Sequence, residues 1–255
     1  SVNFSGNEGW IVGSPAILLY TKDGGANWER TPLSARLPGK PIIITALGDG
    51  LAEMTTDEGA IYNTSDAGLN WKAKVEETVE ATLNRTVSSG ISGASYYTGS
   101  FQNMARNATG EYVAVNQRGN FFLTWSPGDA FWTPRNRNSA RRIQNMGWTP
   151  DGGLWMTTRG GGIFYNQGGL SEEFEERRIP ARGYGLLDVS YSDENTAYCV
   201  GGSGTLFKST DKGQTWAKER TEGKVGANLY DVKFSPDGTA YVLGNAAVLL
   251  RSTGN

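Results

Sequence analysis

The residues of this chain that could do chemistry are its arginines. Eleven of the 15 arginines fall between Arg85 and Arg182, whereas no lysine occurs from Val75 to Phe207. From Ala81 to Ser171, eight arginines stand against three acidic residues, a local excess of +5 in a chain whose net charge is −2. A guanidinium stays charged and offers N–H groups that match a carboxylate or phosphate bidentately. The pattern therefore favours a binding patch for an anionic partner.

The composition excludes several kinds of catalytic and metal site. The chain contains no histidine, which rules out a Ser-His-Asp triad, a histidine general base and most zinc or copper centres. The single cysteine, Cys199, has no partner for an internal disulfide and is expected to pack as a small apolar residue. No apolar run approaches the roughly 20 residues that cross a bilayer. The composition thus leaves no histidine-based catalytic or metal site, and we expect no catalytic residues, no metal and no cofactor.

A short motif recurs three times and predicts the fold. Its pattern, Ser/Thr-x-Asp-x-Gly-x-Asn/Thr-Trp, resembles the Asp-box of several propeller families. We expect the Asp and Ser/Thr side chains to bind backbone amides of a tight turn. The glycine would supply a positive φ, and the tryptophan would fill the space between blades. The three copies are Thr21–Trp28, Thr64–Trp71 and Ser209–Trp216.

Turn residues recur with a period close to 43, which is the length of a four-stranded propeller blade. They predict one all-β domain over residues 1–255, a β-propeller with six visible blades. Because an open ring would expose sheet edges, we infer a seventh, N-terminal blade that is missing from this chain. The turn residues are Ala16, Gly59, Gly119, Gly161, Gly204 and Ala247, at spacings of 43, 60, 42, 43 and 43.

Two features depart from the repeat. The spacing of 60 carries about 17 extra residues, which we place in a long loop insertion at 76–107. The densest arginine segment, Arg135–Arg142, lies between Trp132 of one predicted blade and the Met146–Trp148 strand of the next. It is therefore a connection between blades. Such connections lie on the faces of a propeller, where partners dock.

Eight segments of the chain resemble the photosystem II assembly and stability factor family. The resemblance implies a seven-bladed propeller of the thylakoid lumen with a chaperone-like, non-catalytic role. Members assist biogenesis and repair of photosystem II by binding newly made reaction-centre polypeptides, notably the D1 precursor, whose lumenal C-terminal tail is later trimmed. The segments are Asn7–Gly13, Leu37–Gly39, Ala52–Met54, Gly59–Tyr62, Gly110–Val115, Arg118–Phe122, Asn136–Arg142 and Asn145–Trp148.

The resemblance also implies the docking residues, the partners and the compartment. The expected partners are photosystem II core subunits and assembly intermediates, together with other assembly factors, at the lumenal side of a chloroplast thylakoid. The long insertion favours a chloroplast version of the family. We expect the protein to be peripheral to the membrane at most and to bind no nucleic acid. The partner-binding residues would be Arg85, Arg118, Arg137, Arg141, Arg142, Arg159 and Arg182.

Other functions remain open at this stage. Asp-boxes are common in sialidase-like glycosidases, which need an arginine triad, a tyrosine nucleophile and acidic partners. A nucleic-acid binder would use arginines interleaved with aromatic residues and would show a steep dependence of affinity on salt. A secreted receptor-like propeller, or another protein-binding propeller, is a further alternative, although a single cysteine argues against a disulfide-stapled extracellular module.

Overall fold

The chain folds into antiparallel β-sheets that repeat along the sequence. The computed structural model describes residues 1–34, 37–75, 100–137, 139–166, 168–171, 173–181, 183 and 185–252. Within this part of the chain, 23 strands form six sheets, and each sheet joins sequential strands in antiparallel register. Five sheets have four strands and the sixth has three. These sheets confirm the predicted blades, including the last one without its outer strand.

The strands follow the chain in order, so the first strand of each sheet is always one of its two edges. Sheet 1 contains β1 (Val2–Ser5), β2 (Glu8–Gly13), β3 (Ile17–Thr21) and β4 (Glu29–Arg30). Sheet 2 contains β5 (Pro41–Gly48), β6 (Leu51–Thr56), β7 (Ile61–Thr64) and β8 (Lys72–Val75). Sheet 3 contains β9 (Phe101–Arg106), β10 (Tyr112–Asn116), β11 (Phe121–Trp125) and β12 (Thr133–Asn136).

The second half of the chain repeats the arrangement. Sheet 4 contains β13 (Ile143–Trp148), β14 (Leu154–Thr158), β15 (Ile163–Asn166) and β16 (Phe174–Arg177). Sheet 5 contains β17 (Leu186–Tyr191), β18 (Ala197–Gly201), β19 (Thr205–Ser209) and β20 (Ala217–Lys218), with a single 3₁₀ turn at Gly202–Gly204. Sheet 6 contains β21 (Leu229–Phe234), β22 (Ala240–Gly244) and β23 (Leu249–Arg251).

The chain divides into two compact units. The first comprises Ser1–Gln102 and Trp125–Pro134, and the second comprises Asn103–Thr124 and Arg135–Asn255. Each has buried apolar clusters between successive sheets. In the first unit, Trp10 of sheet 1 is fully buried in a cluster with Met54 of sheet 2. Full burial of such side chains contributes roughly 1.5–3 kcal/mol each to folding.

The Asp-box turns have the structure that the motif predicts. In the third copy, Ser209 Oγ accepts from the Gly213 amide at 2.9 Å, and Asp211 Oδ1 accepts from the Thr215 amide at 2.8 Å. Equivalent bonds occur in the first two copies. The box glycines have φ of +89°, +82° and +83°, a region that favours glycine. These turns are therefore built from local sequence.

The box tryptophans differ in their packing. Trp71 lies edge-on to Trp10 of the preceding sheet, with ring centroids 6.0 Å apart. Trp216 is buried in a cluster with Tyr165 of the preceding sheet. Trp28 lies half-buried, with its ring 5.8 Å from that of Phe4 in its own sheet. The prediction that the tryptophan fills the space between blades thus holds for the second and third copies, whereas the first makes its ring contact within one sheet.

The predicted loop at 76–107 is wrong at its far end. Residues Phe101–Arg106 form β9, the first strand of sheet 3, with Phe101 and Met104 buried. Phe101 also packs on Trp132, with ring centroids 5.4 Å apart. A strand forms there with the support of the packing of Phe101 on Trp132, a contact that is remote in sequence. Residues 76–99 lie outside the described part of the chain.

Candidate functional site

Five of the predicted docking arginines lie at the same end of sheets 3 and 4. Arg118 is in the turn between β10 and β11, and Arg159 is in the turn between β14 and β15. Arg137, Arg141 and Arg142 are in the connection that leads from β12 to β13. We call these five residues the arginine rim. Arg85 and Arg182, the other two predicted residues, lie outside the described part of the chain.

Backbone hydrogen bonds hold the three segments of the rim together. The carbonyl of Gly119 accepts from the amide of Ile143 at 2.8 Å and from Nη1 of Arg137 at 2.9 Å. The amide of Arg159 donates to the carbonyl of Arg142 at 2.9 Å. Residues that are separated by up to 41 positions in the sequence are therefore adjacent in the fold.

The bond between Arg159 and Arg142 is part of the repeat. The same backbone bond joins residues 17 apart in three other sheets, at lengths of 2.9 to 3.0 Å. In each of them, the turn between the second and third strands donates to the connection that precedes the sheet. The propeller repeat thus dictates where these side chains emerge. The other pairs are Asp57 with Lys40, Gly202 with Gly185 and Asn245 with Asn228.

The rim arginines are not equivalent. Arg137 is half-buried, and its guanidinium is bound to the Gly119 carbonyl. Arg141 is exposed and makes a long contact of 3.4 Å from Nη1 to the Gly160 carbonyl. Arg118, Arg142 and Arg159 are exposed, and the described residues give their side chains no hydrogen bond or ion pair. These three guanidiniums are therefore available to a partner.

No carboxylate of the described residues forms an ion pair with a rim arginine. The ion pairs present in the described ranges join Lys74 to Glu53, Arg177 to Glu175, and Lys233 to two aspartates. Unneutralised charge of one sign on a surface creates a local potential that attracts the opposite charge. The rim is thus suited to an anionic ligand. Two other arginines of the same sector, Arg106 and Arg135, are engaged elsewhere, the first with Asn107 and Tyr112 and the second with Thr124.

Glycines shape the turns of the rim, and the site prediction did not include them. A Cβ atom at Gly119 would lie 2.2 Å from the Ile143 carbonyl oxygen, and its φ is +69°. Gly160 and Gly161 have φ of +95° and +97°. Gly119 lets the connection approach the backbone closely, and Gly160 and Gly161 supply the positive φ of their turn. The spacing of the turns identified Gly119 and Gly161 in the sequence, but as turn residues of the repeat and not as part of the site.

A polar network joins the first strands of sheets 4, 5 and 6. Asp188 on β17 accepts from Asn145 Nδ2 at 3.0 Å and from the Val232 amide at 3.1 Å. Lys233 Nζ lies 3.5 Å from Asp188 and 3.0 Å from Asp231. Burial raises the pKa of Asp188 to about 7, and the ammonium group of Lys233 acts in the opposite direction. The sequence analysis did not identify these residues.

Asp188 should make stability depend on pH. Its pKa is about 7 when folded and about 3.9 in an unfolded chain, so the folded state binds the proton more tightly. The stabilisation that comes from this tighter proton binding is complete at a pH below the pKa of the unfolded chain. It is lost as pH rises through the pKa of the folded state. We expect the free energy of unfolding to fall by about 1 kcal/mol per pH unit between about pH 5 and 7 relative to Asp188→Asn. Urea unfolding across that range measures it, and parallel curves for the two proteins would contradict it.

Two further properties concern metals and membranes. Among the described residues, no group of three or more Cys, Asp or Glu side chains has an arrangement that could hold a metal ion. The described residues also contain no helix with the length and apolar character that a membrane span requires.

Comparison with known proteins identifies the family. Residues 1–253 match the family described as "Photosynthesis system II assembly factor YCF48". The chain belongs to this family. The resemblance that the sequence motifs indicated is thereby confirmed, and the family is named for assembly. A solved structure, "YCF48 bound to D1 peptide", is 43% identical, with a TM-score of 0.88 over 100% of this chain and 76% of that chain.

Curated relatives of the YCF48 family include chloroplast and cyanobacterial proteins. The chain is 58% identical over 228 residues to the "Photosystem II stability/assembly factor HCF136, chloroplastic" of Arabidopsis thaliana, covering 89% of this chain and 57% of that protein. It is 39% identical over 218 residues to the "Photosystem II assembly lipoprotein Ycf48" of a Synechococcus strain, covering 85% and 60%. The chain thus spans less than two thirds of these relatives.

Proposed function

We propose that this chain is the propeller part of a photosystem II assembly factor that binds the C-terminal tail of the D1 polypeptide through the arginine rim. The observation that carries the proposal is the convergence of five arginines, three of them exposed and without a partner in the described residues. The relative solved with a D1 peptide supports the choice of ligand, since it matches the whole of this chain.

The chemistry of the rim fits a peptide that carries carboxylates. An exposed guanidinium contributes about 1 kcal/mol or less to an ion pair, and about 1.5–3 kcal/mol when it makes a well-formed charged hydrogen bond. Three such contacts give an affinity in the micromolar to millimolar range. That range suits an assembly factor, because the factor has to leave its client when assembly advances.

The proposed role needs neither catalysis nor a cofactor. The rim combines guanidiniums with glycine turns, and these groups position an anionic segment without transferring a proton or forming a covalent bond. We propose that the chain works at the lumenal side of a chloroplast thylakoid, with reaction-centre subunits, assembly intermediates and other assembly factors as its partners. The chloroplast naming of its plant relatives supports the compartment.

The test is a titration of the chain with a peptide of the D1 C-terminal tail at two salt concentrations, followed by calorimetry. The matched control peptide carries amides in place of its carboxylates. We expect the native peptide to bind, with an affinity that falls as salt rises, and the amide peptide to bind at least about tenfold more weakly. Equal binding of the two peptides would contradict docking through charge, and no binding of either would contradict the choice of D1. If a single-stranded oligonucleotide binds more tightly than the D1 peptide, with an affinity that falls as salt rises, nucleic acid is favoured as the ligand.

A further inference from the structure

A cavity in the second unit is separate from the arginine rim. Its volume is about 820 Å³, within the range of cavities that hold small ligands or short peptide segments. Its wall is built from the first strands of four successive sheets, β9, β13, β17 and β21. Each of these strands lies at the edge of its sheet. Edge strands present backbone N–H and C=O groups to which an extended polypeptide can bond.

The cavity and the rim use different residues of the β13 segment. The rim precedes the strand, since Arg142 is followed directly by Ile143. The cavity is lined from Asn145 to the end of the strand and past it, where Thr149 and Gly152 contribute. None of the rim arginines lines the cavity. The cavity therefore requires its own account.

The wall of the cavity combines aromatic rings with a buried carboxylate. Trp148 and Tyr191 are half-buried, and Tyr230 is 51% exposed. Asp188 is 6% exposed and lies beside the side-chain amide of Asn145. Aromatic faces bind guanidinium groups by stacking and cation–π attraction. A ligand that enters far enough to reach Asp188 should carry N–H donors and a positive charge.

The protein already places a cation of its own beside these carboxylates. Lys233 Nζ lies between Asp231 and Asp188, although the lysine side chain is 68% exposed. The lysine can move into solvent, but because Asp188 is buried, it leaves only when another cation takes its place. The other base of the wall, Arg106, is held away by the Asn107 carbonyl and the ring of Tyr112. The positive position can therefore pass to a ligand.

We propose that this cavity is a second binding site, which takes an arginine side chain carried on an extended polypeptide segment. The carboxylates of Asp188 and Asp231 receive the guanidinium, Trp148 and Tyr191 flank it, and Lys233 moves aside. The chain would then bind an anionic segment at the rim and a cationic segment in the cavity. This site is independent of the rim and of the identity of the ligand there.

The test uses acetyl-Ser-Ala-Arg-Ala-Ser-amide and the same peptide with citrulline, which is neutral and almost isosteric with arginine. Both are titrated to millimolar concentration into the ¹⁵N-labelled chain, with the indole N–H of Trp148 and the amide of Asn145 as reporters. We expect the arginine peptide to shift both signals in a saturable way and the citrulline peptide to bind at least about tenfold more weakly. Equal effects of the two peptides, or no saturable shift, would overturn the proposal.

Three variants separate this site from others. Asp188→Asn should reduce the affinity for the arginine peptide toward that of the citrulline peptide, with the remaining difference due to Asp231. Because that change could disturb the fold, Lys233→Met provides a second measure: removal of the competing ammonium should tighten binding a few-fold, and weaker binding would overturn the proposal. A variant with Arg118→Glu and Arg159→Glu should bind the arginine peptide as the original chain does. A loss there would mean that the cavity is not the site.

Discussion

Simultaneous replacement of Arg118, Arg142 and Arg159 by glutamate is expected to weaken binding of the D1 tail peptide by about a hundredfold. Each of these exposed guanidiniums is free to form an ion pair with the peptide, and three contacts of about 1 kcal/mol amount to about 3 kcal/mol. Repulsion between the new carboxylates and those of the peptide adds to the loss. Calorimetry at low salt measures the effect directly.

The choice of these three arginines follows from the geometry of the rim. Arg137 is left unchanged because its guanidinium holds the Gly119 carbonyl, so its loss would alter the fold of the rim as well as its charge. The matched control replaces Arg30, Arg220 and Arg251, which are exposed arginines on other elements, and changes the net charge equally. If the rim variant and the control lose the same affinity, general charge and not the rim attracts the peptide.

Replacement of Gly119 by alanine is expected to lower the free energy of unfolding by about 3 kcal/mol or more. The added Cβ would lie 2.2 Å from the carbonyl oxygen of Ile143 and 3.1 Å from its amide nitrogen, so the backbone of the turn or of the connection has to move. Overpacking costs about 1–3 kcal/mol, and a φ of +69° costs a non-glycine residue about 1 kcal/mol or more. Urea unfolding gives the value.

The control for this substitution is Gly238→Ala. Gly238 lies in the turn between β21 and β22 with a φ of +81°, and no atom lies within 4 Å of the position that its Cβ would take. The Gly238→Ala substitution therefore loses only the conformational term, about 1 kcal/mol. A similar loss of stability in the two variants would show that the contact with Ile143 does not matter.

Folded Gly119→Ala protein should also bind the D1 peptide less well, because Arg118 and Arg137 meet at this turn.

The repeated elements of the fold could be predicted from the sequence because they depend on neighbours along the chain. The Asp-box turns close through bonds between residues two to four positions apart, such as those of Ser209 and Asp211. The turn glycines likewise mark positions where φ is positive. The end of the predicted loop was wrong because β9 depends on Trp132, about 30 residues away, which packs on Phe101.

The candidate site was predictable in its composition and only partly in its roles. The cluster of arginines without lysine indicates an anionic ligand, and the family motif singles out members of the rim. The sequence does not reveal that Arg137 is bound to the Gly119 carbonyl, whereas the side chains of Arg142 and Arg159 have no hydrogen bond among the described residues. That division depends on which carbonyl groups the neighbouring turn presents. The same holds for Asp188, which no motif distinguishes from other aspartates.

The sequence by itself determined the repeat, the type of each turn and the sign of the charge in the arginine sector, since these follow from residue type and short-range spacing. The tertiary structure alone decided which arginines meet, because hydrogen bonds between Gly119, Ile143, Arg142 and Arg159 join segments from two sheets. It also decided that a carboxylate is buried at Asp188, since the groups that donate hydrogen bonds to it come from strands about 43 residues away on either side. Such pairings depend on how successive sheets stack, a property that spacing along one strand does not encode.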